Sequence, residues 1–502
     1  MSGIRRIIVA GAGPLAWISA AGLHRAFGQR QFEVSVVDTG TSADARIGRW
    51  TLPSQRGIHG LLGITESHLV QQTGATFRLA TEFVGWQGEG TRFLHAHGDI
   101  GVEIGGAAFY KYLQGEGLAG RNSRPEEFSL AGTAARLGRF ARPMGESGSL
   151  TSSFTYGFHF EDAAYSDYLR AHALRLGVHE CPARFAGLSL NEQGAIQALQ
   201  LADGSRVSAD YYVDCSGPDA HLISRVASDG REDWSQWFPC DRMWSSLASG
   251  VEVAPAVTQT FATAAGWAWR APLARASMVG QAFSSHFMDD AAARASLEHL
   301  GAVVQGEPRL TRFSPGRRRS FWARNCLALG AAAVELEPLA GADLHLALIG
   351  LGTFIELMPL DVASGIESVE YNRVMAEHAD AVRDFTLAHY RAGAARAGAF
   401  WEATRSAPLP ERLAHRLELY ASNGRINLQD HESFEETDWA WLLLGCGCLP
   451  DTLELQIRTQ VGRLAPKDAT ALRTHVQQLA ASMPPHMEFV RRQATSAARP
   501  AS

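Results

Sequence analysis

The sequence has few cysteines and no region dominated by charge of one sign. Six cysteines are spread over 502 residues, and only Cys446 and Cys448 lie close together. A disulfide framework needs more, and a structural zinc site needs about four convergent ligands, so we expect reduced thiols and no metal. The formal net charge is -6, with both signs mixed along the chain, unlike the basic stripe of a nucleic-acid-binding protein. We therefore expect small neutral partners and no nucleic acid.

The apolar runs are too short to cross a membrane, because a spanning helix needs roughly 18 consecutive apolar residues. Residues 3–10, GIRRIIVA, superficially resemble the start of a secretory signal. The apolar stretch is short, however, and continues directly into glycines, so we interpret it as a first β-strand. These patterns predict a soluble, cytoplasmic protein with no membrane attachment.

The hydrophobic pattern predicts two modules. Residues 1–355 alternate strand-like and helical segments, typical of an α/β, doubly wound, Rossmann-like module, with a glycine-rich insertion near residues 85–148. Residues 356–490 have mainly helical spacing, which predicts a second, helical module. Residues 491–502 are rich in alanine, serine and arginine, and we expect a disordered tail there.

A dinucleotide-binding pattern opens the chain. Gly11, Gly13 and Ala16 form G-x-G-x-x-A between a predicted strand and a predicted helix. In this motif the first glycine makes a tight turn, the second lets the backbone approach a pyrophosphate, and the helix N-terminus attracts the phosphates. Asp38 closes the second predicted strand, at the usual interval for binding a ribose diol. The pattern predicts a bound dinucleotide; the alternative is a tight glycine turn without a ligand.

Two later segments favour FAD over NAD as that dinucleotide. Residues 214–217, DCSG, and residues 322–330, which end at Gly330, each follow an apolar, strand-like run. In FAD proteins of this class, a late strand delivers an aspartate and a turn of small residues to the cofactor. We therefore predict FAD contacts at Gly217 and Gly330, and an FAD-binding module over residues 1–355.

The string GWAWRAPL at residues 266–273 is the most informative in the chain. Its tryptophans, Trp267 and Trp269, stand at i and i+2 and so face the same side of a strand. A pair of core aromatics would explain them equally well. The string nevertheless resembles the G-W-x-W-x-I-P-L signature of flavin-dependent tryptophan halogenases, with Ala271 at the isoleucine position.

Further segments resemble the same family, in the same order along the chain. They are residues 73–83 (TGATFRLATEF), 158–160 (FHF), 214–217 (DCSG), 337–339 (EPL), 371–372 (YN), 383–385 (RDF) and 389–390 (HY). Together they extend over nearly the whole chain. On these motifs the chain is identified as a member of the flavin-dependent tryptophan halogenase family.

The resemblance implies a flavin-monooxygenase-type module joined to a helical module, with reduced FAD supplied by a separate flavin reductase. It also implies that an oxidised halide travels to a lysine beside a small aromatic substrate, of the indole type. Trp267 and Trp269 would line that route, His95 and His97 fall near the residues that hold the substrate, and Leu344 falls among the cofactor contacts. For the two histidines, plain surface loop positions are the alternative. Whether the chain forms a homodimer stays open.

Arg78 stands at the position of the family's catalytic lysine. If that lysine reacts as a neutral amine, the neutral fraction at pH 7 is about 10⁻³ for an unperturbed lysine and about 10⁻⁶ to 10⁻⁷ for an arginine. Arginine is then a poor replacement. If the lysine only donates a hydrogen bond, Arg78 can still donate, through a larger and planar group. A structural ion pair or a packed stem is an equal alternative for Arg78.

A second set of departures lies in residues 337–344, EPLAGADL, where the family reads E-P-L-E-S-T. Ala340 replaces the glutamate that works with the lysine, and such general-base help is typically worth about 10²- to 10⁴-fold. Gly341 replaces the neighbouring serine. Asp343 falls where the family's backbone amides receive the halide, and repulsion between unit charges about 4 Å apart is roughly 4 kcal/mol at an effective dielectric near 20. Halide binding is therefore doubtful.

Residues 48–53, GRWTLP, resemble the family's flavin strap, G-E-S-T-L-P, with Arg49 and Trp50 in place of the acid and the serine. Three functions stay open. The first is an FADH2- and O2-dependent halogenase that uses Arg78. The second is an FAD-binding protein of the same fold in which normal halogenation is lost or weak, acting as a partner or sensor. The third is a different flavin-dependent oxidation. The departures at Ala340 and Asp343 favour the second and third.

Overall fold

The structure is a computed structural model that describes residues 5–28, 32–40, 47–121, 123–146, 149–249, 255–300, 303–358, 365–392, 396–461 and 466–496. The chain forms two compact units, each built from three segments. The first unit is Met1–Gly74, Phe160–Ser245 and Arg309–Asp380, and the second is Ala75–His159, Ser246–Pro308 and Ala381–Ser502. The sequence-based division after residue 355 falls inside a helix and does not follow these units, and it stays a prediction.

The strands of the described residues are short and spread along the chain. The first half contains β1 (Arg5–Ala10), β2 (Phe32–Val37), β3 (Gly48–Trp50), β4 (Thr76–Arg78), β5 (Ala80–Val84), β6 (Arg92–Ala96), β7 (Gly157–Glu161), β8 (His179–Glu180), β9 (Phe185–Leu190), β10 (Ile196–Leu201), β11 (Arg206–Val207), β12 (Tyr211–Asp214), β13 (Arg231–Asp233) and β14 (Arg242–Ser249). They are followed by β15 (Val257–Thr263), β16 (Gly266–Pro272), β17 (Ser277–Phe283), β18 (Val303–Arg312), β19 (Gly316–Arg318), β20 (Trp322–Ala323), β21 (Cys326–Ala328) and β22 (Val334–Glu335).

The helices become longer toward the C-terminus. Those before residue 300 are α1 (Pro14–Phe27), α2 (Gln55–Leu61), α3 (Glu66–Thr73), α4 (Phe109–Leu118), α5 (Leu130–Arg136), α6 (Asp162–Leu176), α7 (Ile223–Val226) and α8 (Asp290–Ser296). The later ones are α9 (Asp343–Leu357), α10 (Ile366–Ala392), α11 (Ala399–Ser406), α12 (Glu411–Asn423), α13 (Glu436–Gly445), α14 (Leu455–Val461), α15 (Pro466–Ser482) and α16 (His486–Ser496).

A six-stranded sheet lies at the centre of the first unit, in the order β20-β21-β12-β1-β2-β8. Strand β1 pairs in parallel with β2 and with β12, and β12 pairs in parallel with β21. Residues 7–10 of β1 are at most 3% exposed, as expected for a parallel strand covered on both faces. Helix α1 connects β1 to β2 and completes the opening βαβ unit. The predicted α/β fold class with a Rossmann-like module is confirmed.

The second unit contains the consecutive strands β17-β16-β15-β5-β6. All neighbours in this set are antiparallel except β15 and β5. The register places His95 opposite Thr81, Thr81 opposite Thr258, and Trp269 opposite Thr260. Because residues two apart in a strand share a face, one face of the sheet collects these side chains together with Trp267. The sheet therefore brings together residues that the sequence holds far apart.

Two predicted irregular regions contain regular structure. The glycine-rich segment 85–148 includes β6, α4 and α5, so it is built into the second unit as strand and helix. The predicted disordered tail begins at residue 491, but α16 continues to Ser496. A buried Val490 and an aromatic contact from Phe489 to Phe77 attach this helix to the unit. Residues 497–502 lie outside the described residues.

Candidate functional site

The turn between β1 and α1 has the close backbone approach that the dinucleotide motif predicts. A Cβ on Gly11 would lie 2.7 Å from the carbonyl oxygen of Cys215, so a side chain does not fit there. Around Gly13 the space is open, because no described atom lies within 4 Å of the position of a Cβ. Gly13 is also the N-cap of α1 and contributes no side chain to it. The first amides of α1 therefore face a space that an anionic group fits.

The other predicted cofactor contacts surround this turn. A Cβ on Gly330, which has φ +62°, would lie 2.4 Å from Cδ2 of Leu15. The amide of Leu329 donates to the carbonyl of Asp214 at 2.9 Å, so the turns that contain Gly217 and Gly330 adjoin. Leu344 is buried in the first turn of α9. The structure thus brings the glycine positions to one end of the parallel sheet.

Asp38 follows β2, as predicted, but its carboxylate already has two partners. The amide of Gly40 donates to Oδ1 at 2.7 Å, and Nε of Arg184 donates to Oδ2 at 3.0 Å. The side chain of Asp38 is 37% exposed. Each carboxylate oxygen can accept a further bond, so a ribose diol can still be bound here. Arg184 was not anticipated, because only the tertiary structure brings it to this acid.

The strap residue Arg49 is a buried cation held by two carboxylates. Nε of Arg49 donates to Oδ1 of Asp162 at 2.6 Å, and Nη1 lies 3.2 Å from Oδ2 of Asp343. The Arg49 side chain is 3% exposed. Arg49 is thus a cation beside Asp343 that the predicted repulsion of a halide did not include, and weak halide binding stays a prediction.

The strap also packs against the loop through its tryptophan. Gly341 has φ +65°, and a Cβ there would lie 2.6 Å from Cδ1 of the buried Trp50. Ala340 precedes it at the end of a short 3-10 helix, Pro338–Ala340. Farther along, Oγ of Ser54 and Nδ1 of His345 are 2.7 Å apart. The departures that the sequence shows in the strap and in the loop are therefore in direct contact.

Arg78 lies in the second unit and is 2% exposed. Nη1 donates to Nε2 of His97 at 2.7 Å, Nε donates to Oγ1 of Thr258 at 3.1 Å, and Nη2 donates to Oγ1 of Thr81. Burial lowers the pKa of Arg78 to about 9. Burial would lower the pKa of a lysine at this position as well, and the guanidinium stays mostly protonated at pH 7. The three bonds fix the guanidinium in place.

A directed chain of hydrogen bonds continues from Thr258 away from Arg78. Oγ1 of Thr258 lies 2.9 Å from Nε2 of His159, and Nδ1 of His159 lies 3.0 Å from Oγ1 of Thr76, which donates to the carbonyl of Pro272 at 2.7 Å. Burial lowers the pKa of His159 well below its usual range, so the ring is neutral. Thr76 can then only accept from Nδ1–H, and Nε2 accepts from Thr258.

His95 and His97 belong to the same face of the sheet and are both less than a tenth exposed. They are therefore not the surface loop residues of the alternative interpretation. Their ring centroids are 6.5 Å apart. Nε2 of His95 lies 3.1 Å from Oδ1 of Asp438 in α13, and its ring stacks at 6.5 Å on His389.

Trp267 and Trp269 are fully buried on this face. Gly280 stands opposite Trp269, and a Cβ there would lie 2.6 Å from the indole, so the ring lies over the glycine. The same-face prediction from the i, i+2 spacing is confirmed by the register. Whether the pair lines a route for an oxidant stays a prediction.

Three residues that contact Arg78 or His95, directly or through Thr258, were not predicted from the sequence. His159 lies within the FHF segment, and its period-two spacing in a strand could have indicated a buried histidine. Thr258 and Asp438 carry no sequence signal, because only strand register and helix docking bring them to Arg78 and His95. The part of the chain that the structure describes contains no group of His, Cys, Asp and Glu side chains suited to a metal ion.

Comparison with known proteins supplies the family. The tryptophan halogenase family model matches residues 6–460. The chain belongs to the tryptophan halogenase family. Among solved structures, BrvH, a flavin-dependent halogenase from Brevundimonas sp. BAL3, is similar to this family member with a TM-score of 0.91 and 30% identity, over 98% of this chain and 99% of that chain. Xcc4156, a flavin-dependent halogenase from Xanthomonas campestris, has a TM-score of 0.91 and 31% identity, over 98% and 99%.

A curated relative extends the comparison to a named substrate. Tryptophan 7-halogenase KtzQ from Kutzneria sp. (strain 744) is 26% identical over 97% of this chain and 98% of its own length. Membership of the tryptophan halogenase family implies FAD as the cofactor, and the turn around Gly11 and Gly13 fits the pyrophosphate of that group. Among the described helices of this family member, none is both long and apolar enough to cross a membrane.

Proposed function

We propose that this tryptophan halogenase family member binds FAD through its first unit and that normal halogenation is lost or weak. The observation that carries the proposal is the guanidinium of Arg78, which binds His97, Thr258 and Thr81 through all three of its nitrogens. A group fixed by three internal bonds is a poor carrier of an electrophile, because each productive move breaks bonds inside a buried site.

The residues that would hold FAD are those of the first turn and its neighbours. Gly11 and Gly13 admit the pyrophosphate beside the N-terminus of α1, and Asp38 would accept from the ribose diol. Gly217 and Gly330 supply the small-residue turns next to it. Bound FAD, reduced by a separate flavin reductase, would supply the electrons for chemistry with O2.

The strap and loop support the loss of halogenation. Ala340 supplies no carboxylate to take a proton or hold the electrophile. The Asp343 carboxylate lies 3.2 Å from the Arg49 guanidinium and neutralises the positive charge that would otherwise attract a small anion. Halide binding at this loop is therefore weak even though Arg49 reduces the repulsion.

An active halogenase that uses Arg78 is the second candidate. The pKa of Arg78, which burial lowers to about 9, favours it, because the change is toward the lysine range although the guanidinium stays mostly protonated at pH 7. The substrate would again be a small aromatic molecule, and the imidazoles of His95 and His97 would contact it.

The experiment is a flavin titration followed by turnover. The purified chain is titrated with FAD, and then supplied with a flavin reductase, O2, bromide or chloride, and a panel of indoles. We expect a change in the flavin absorbance and a higher melting temperature on FAD binding, with no halogenated product by mass spectrometry. Turnover at the rate of an ordinary tryptophan halogenase run in parallel would refute the proposal, and absence of FAD binding would refute the cofactor assignment.

A further inference from the structure

The hydrogen bonds of His95 and His97 assign opposite proton positions to the two rings. The carboxylate of Asp438 only accepts, so Nε2 of His95 carries a proton and donates to it across 3.1 Å. The guanidinium of Arg78 only donates, so Nε2 of His97 accepts from it across 2.7 Å. In the neutral rings, Nδ1 is therefore an acceptor in His95 and a donor in His97.

Both Nδ1 atoms are available to a ligand as far as the described residues go, because no described hydrogen bond engages either of them. The rings share one face of the sheet, with centroids 6.5 Å apart. One oxygen that accepts from one ring and donates to the other spans up to about 5.6 Å between the nitrogens, with two bonds of about 2.8 Å. Such a bridge requires the two Nδ1 atoms to lie within that span.

The charges behind the two rings have opposite signs. Asp438 stands behind His95 and stabilises that ring when it becomes an imidazolium, as the carboxylate of a His–Asp pair does. Arg78 stands behind His97 and stabilises negative charge on a ligand atom bound to Nδ1–H. Proton transfer toward His95 and charge development beside His97 are thus favoured together.

We propose that His95, oriented by Asp438, is a general base that takes the proton from the hydroxyl of a phenol, while His97 donates to the resulting phenolate oxygen and Arg78, behind His97, stabilises its charge. The O–H bond breaks, the proton forms an N–H bond at Nδ1 of His95, and the electron pair stays on the oxygen. The proposal rests on the proposed function only in placing the aromatic substrate beside Arg78.

The acidity of the substrate decides between a phenol and an indole. A phenol such as tyrosine has a pKa of about 10 and an imidazole one of about 6.5, and the charges of Asp438 and Arg78 must offset this gap. An indole N–H is a far weaker acid, which widens that gap beyond what one ion pair supplies. The phenolate also carries more electron density in its ring than the phenol, so an electrophile reacts with it more readily.

The test uses 4-nitrophenol, which absorbs at different wavelengths as phenol and as phenolate. It is titrated into the full chain from pH 5 to 8 without halide, reductase or O2. The titratable and charged groups that face His95 are Asp438, His97 and His389, with Arg78 behind His97; burial lowers the pKa of His389 to about 3, so it stays neutral in this range. We expect the bound probe to ionise at a pH at least one unit lower than the free probe.

Three variants separate the roles. His95→Gln keeps a donor toward Asp438 but cannot take a proton, so the shift should shrink to the part that His97 and Arg78 supply. Asp438→Asn removes the orienting charge and should reduce the phenolate fraction at pH 6 about tenfold. His415→Gln, at an exposed position of α12, is the matched control and should behave as the unmodified chain. The proposal would be overturned by an unchanged shift in His95→Gln or by a lack of 4-nitrophenol binding to the unmodified chain. It would also be overturned if indole displaced the probe with the pH dependence that a phenol shows.

A second measurement does not depend on the probe or on folding of a variant. In protein labelled with ¹⁵N-histidine, NMR should show the Nε2–H form for His95 and the Nδ1–H form for His97; the same form in both rings would overturn the proposal. Neither measurement involves FAD or halogenation. The proposed function fails if FAD does not bind or if halogenation is normal, and these results are separate from those that would refute His95 as a general base.

Discussion

Arg49 and Asp343 form an ion pair, with Nη1 of the guanidinium 3.2 Å from Oδ2 of the carboxylate. On the resemblance of the sequence motifs, each residue is predicted to depart from the pattern of the tryptophan halogenase family, one by reversing the charge of the strap and the other by adding an acid to the loop. Trp50 and Gly341, the next two departures, are also in contact. The unusual residues of the strap and loop therefore form matched pairs, and each is expected to depend on its partner.

Removing Arg49 should destabilise the chain more than removing its loop partner. Arg49→Gln leaves Asp162 buried without its cation, and loss of one partner of a buried pair costs about 3–5 kcal/mol. Asp343 is 22% exposed, so Asp343→Asn should cost about 1 kcal/mol or less. Urea unfolding of the two variants measures the difference, and equal losses would show that Asp162 does not depend on Arg49.

Gly341→Ala should be destabilising because of Trp50. The added Cβ meets the indole at 2.6 Å in a backbone with φ +65°, and the left-handed conformation alone costs about 1–2 kcal/mol for a non-glycine residue. In a Trp50→Ser background only the backbone cost should remain. A double-mutant cycle by urea unfolding should give a coupling of about 1–3 kcal/mol; a coupling near zero would contradict the contact.

Gly13→Val should impair FAD binding without impairing folding. Open space surrounds Gly13 in the protein, whereas the valine side chain would stand where the pyrophosphate binds. We expect FAD affinity to fall at least tenfold, which is about 1.4 kcal/mol, with a nearly unchanged melting temperature of the FAD-free protein. Gly11→Ala is the matched control, since its Cβ meets the Cys215 carbonyl at 2.7 Å and should lower the melting temperature. An unchanged FAD affinity of Gly13→Val would contradict the placement of the pyrophosphate beside Gly13.

Restoring one family residue should not restore halogenation, because residues that act as a unit are strongly non-additive. Arg78→Lys alone should stay inactive, and it should lose stability where Thr258 and Thr81 lose their donor. From the sequence we expect Arg78→Lys, Ala340→Glu and Asp343→Gly together to give the first measurable product.

The structure adds the strap to that set, since Asp343→Gly leaves Arg49 without its loop partner. The triple variant should gain further from Trp50→Ser, which removes the indole that lies against the loop, whereas Arg49 is kept because it also binds the buried Asp162. All variants are assayed by mass spectrometry with one reductase, FAD, O2 and bromide, with free hypobromous acid trapped separately. Full activity from Arg78→Lys alone would show that the loop departures are harmless.

Stability should fall as the pH falls below about 6.5. Burial lowers the pKa of His59 and His389 to about 3 and that of His486 to about 4. The unfolded chain binds protons at these groups from about pH 6.5 downward while the folded chain does not, so each contributes a loss of about 1.4 kcal/mol per pH unit until its folded pKa is reached. Above pH 6.5 both states are neutral and the effect vanishes.

Melting temperatures measured from pH 8 to pH 5 test this dependence. His486 packs edge-on against Phe77 and Phe140, so His486→Phe should reduce the steepness of the acid loss. His415→Gln changes an exposed histidine and should leave the profile unchanged. A flat profile between pH 6.5 and pH 5 would contradict the buried neutral histidines.

The sequence by itself determined the features that depend on neighbouring residues. The turn at Gly11 and Gly13 follows from a strand, two glycines and a helix in succession. The shared face of Trp267 and Trp269 follows from the two-residue period of a strand. The family also follows from sequence, because its motifs keep their order along nearly the whole chain.

Only the tertiary structure decided what the site residues contact. His95 reaches Asp438 across 343 positions, Arg49 reaches Asp343 across 294, and Arg78 reaches Thr258 across 180. Such contacts depend on strand register and helix docking, which no local pattern specifies. For the same reason the two compact units, each assembled from three separated segments, differ from the simple division along the chain. The residue type determines which charge a side chain can carry. The packing of the chain determines which partner that charge contacts, and therefore what chemistry it can perform.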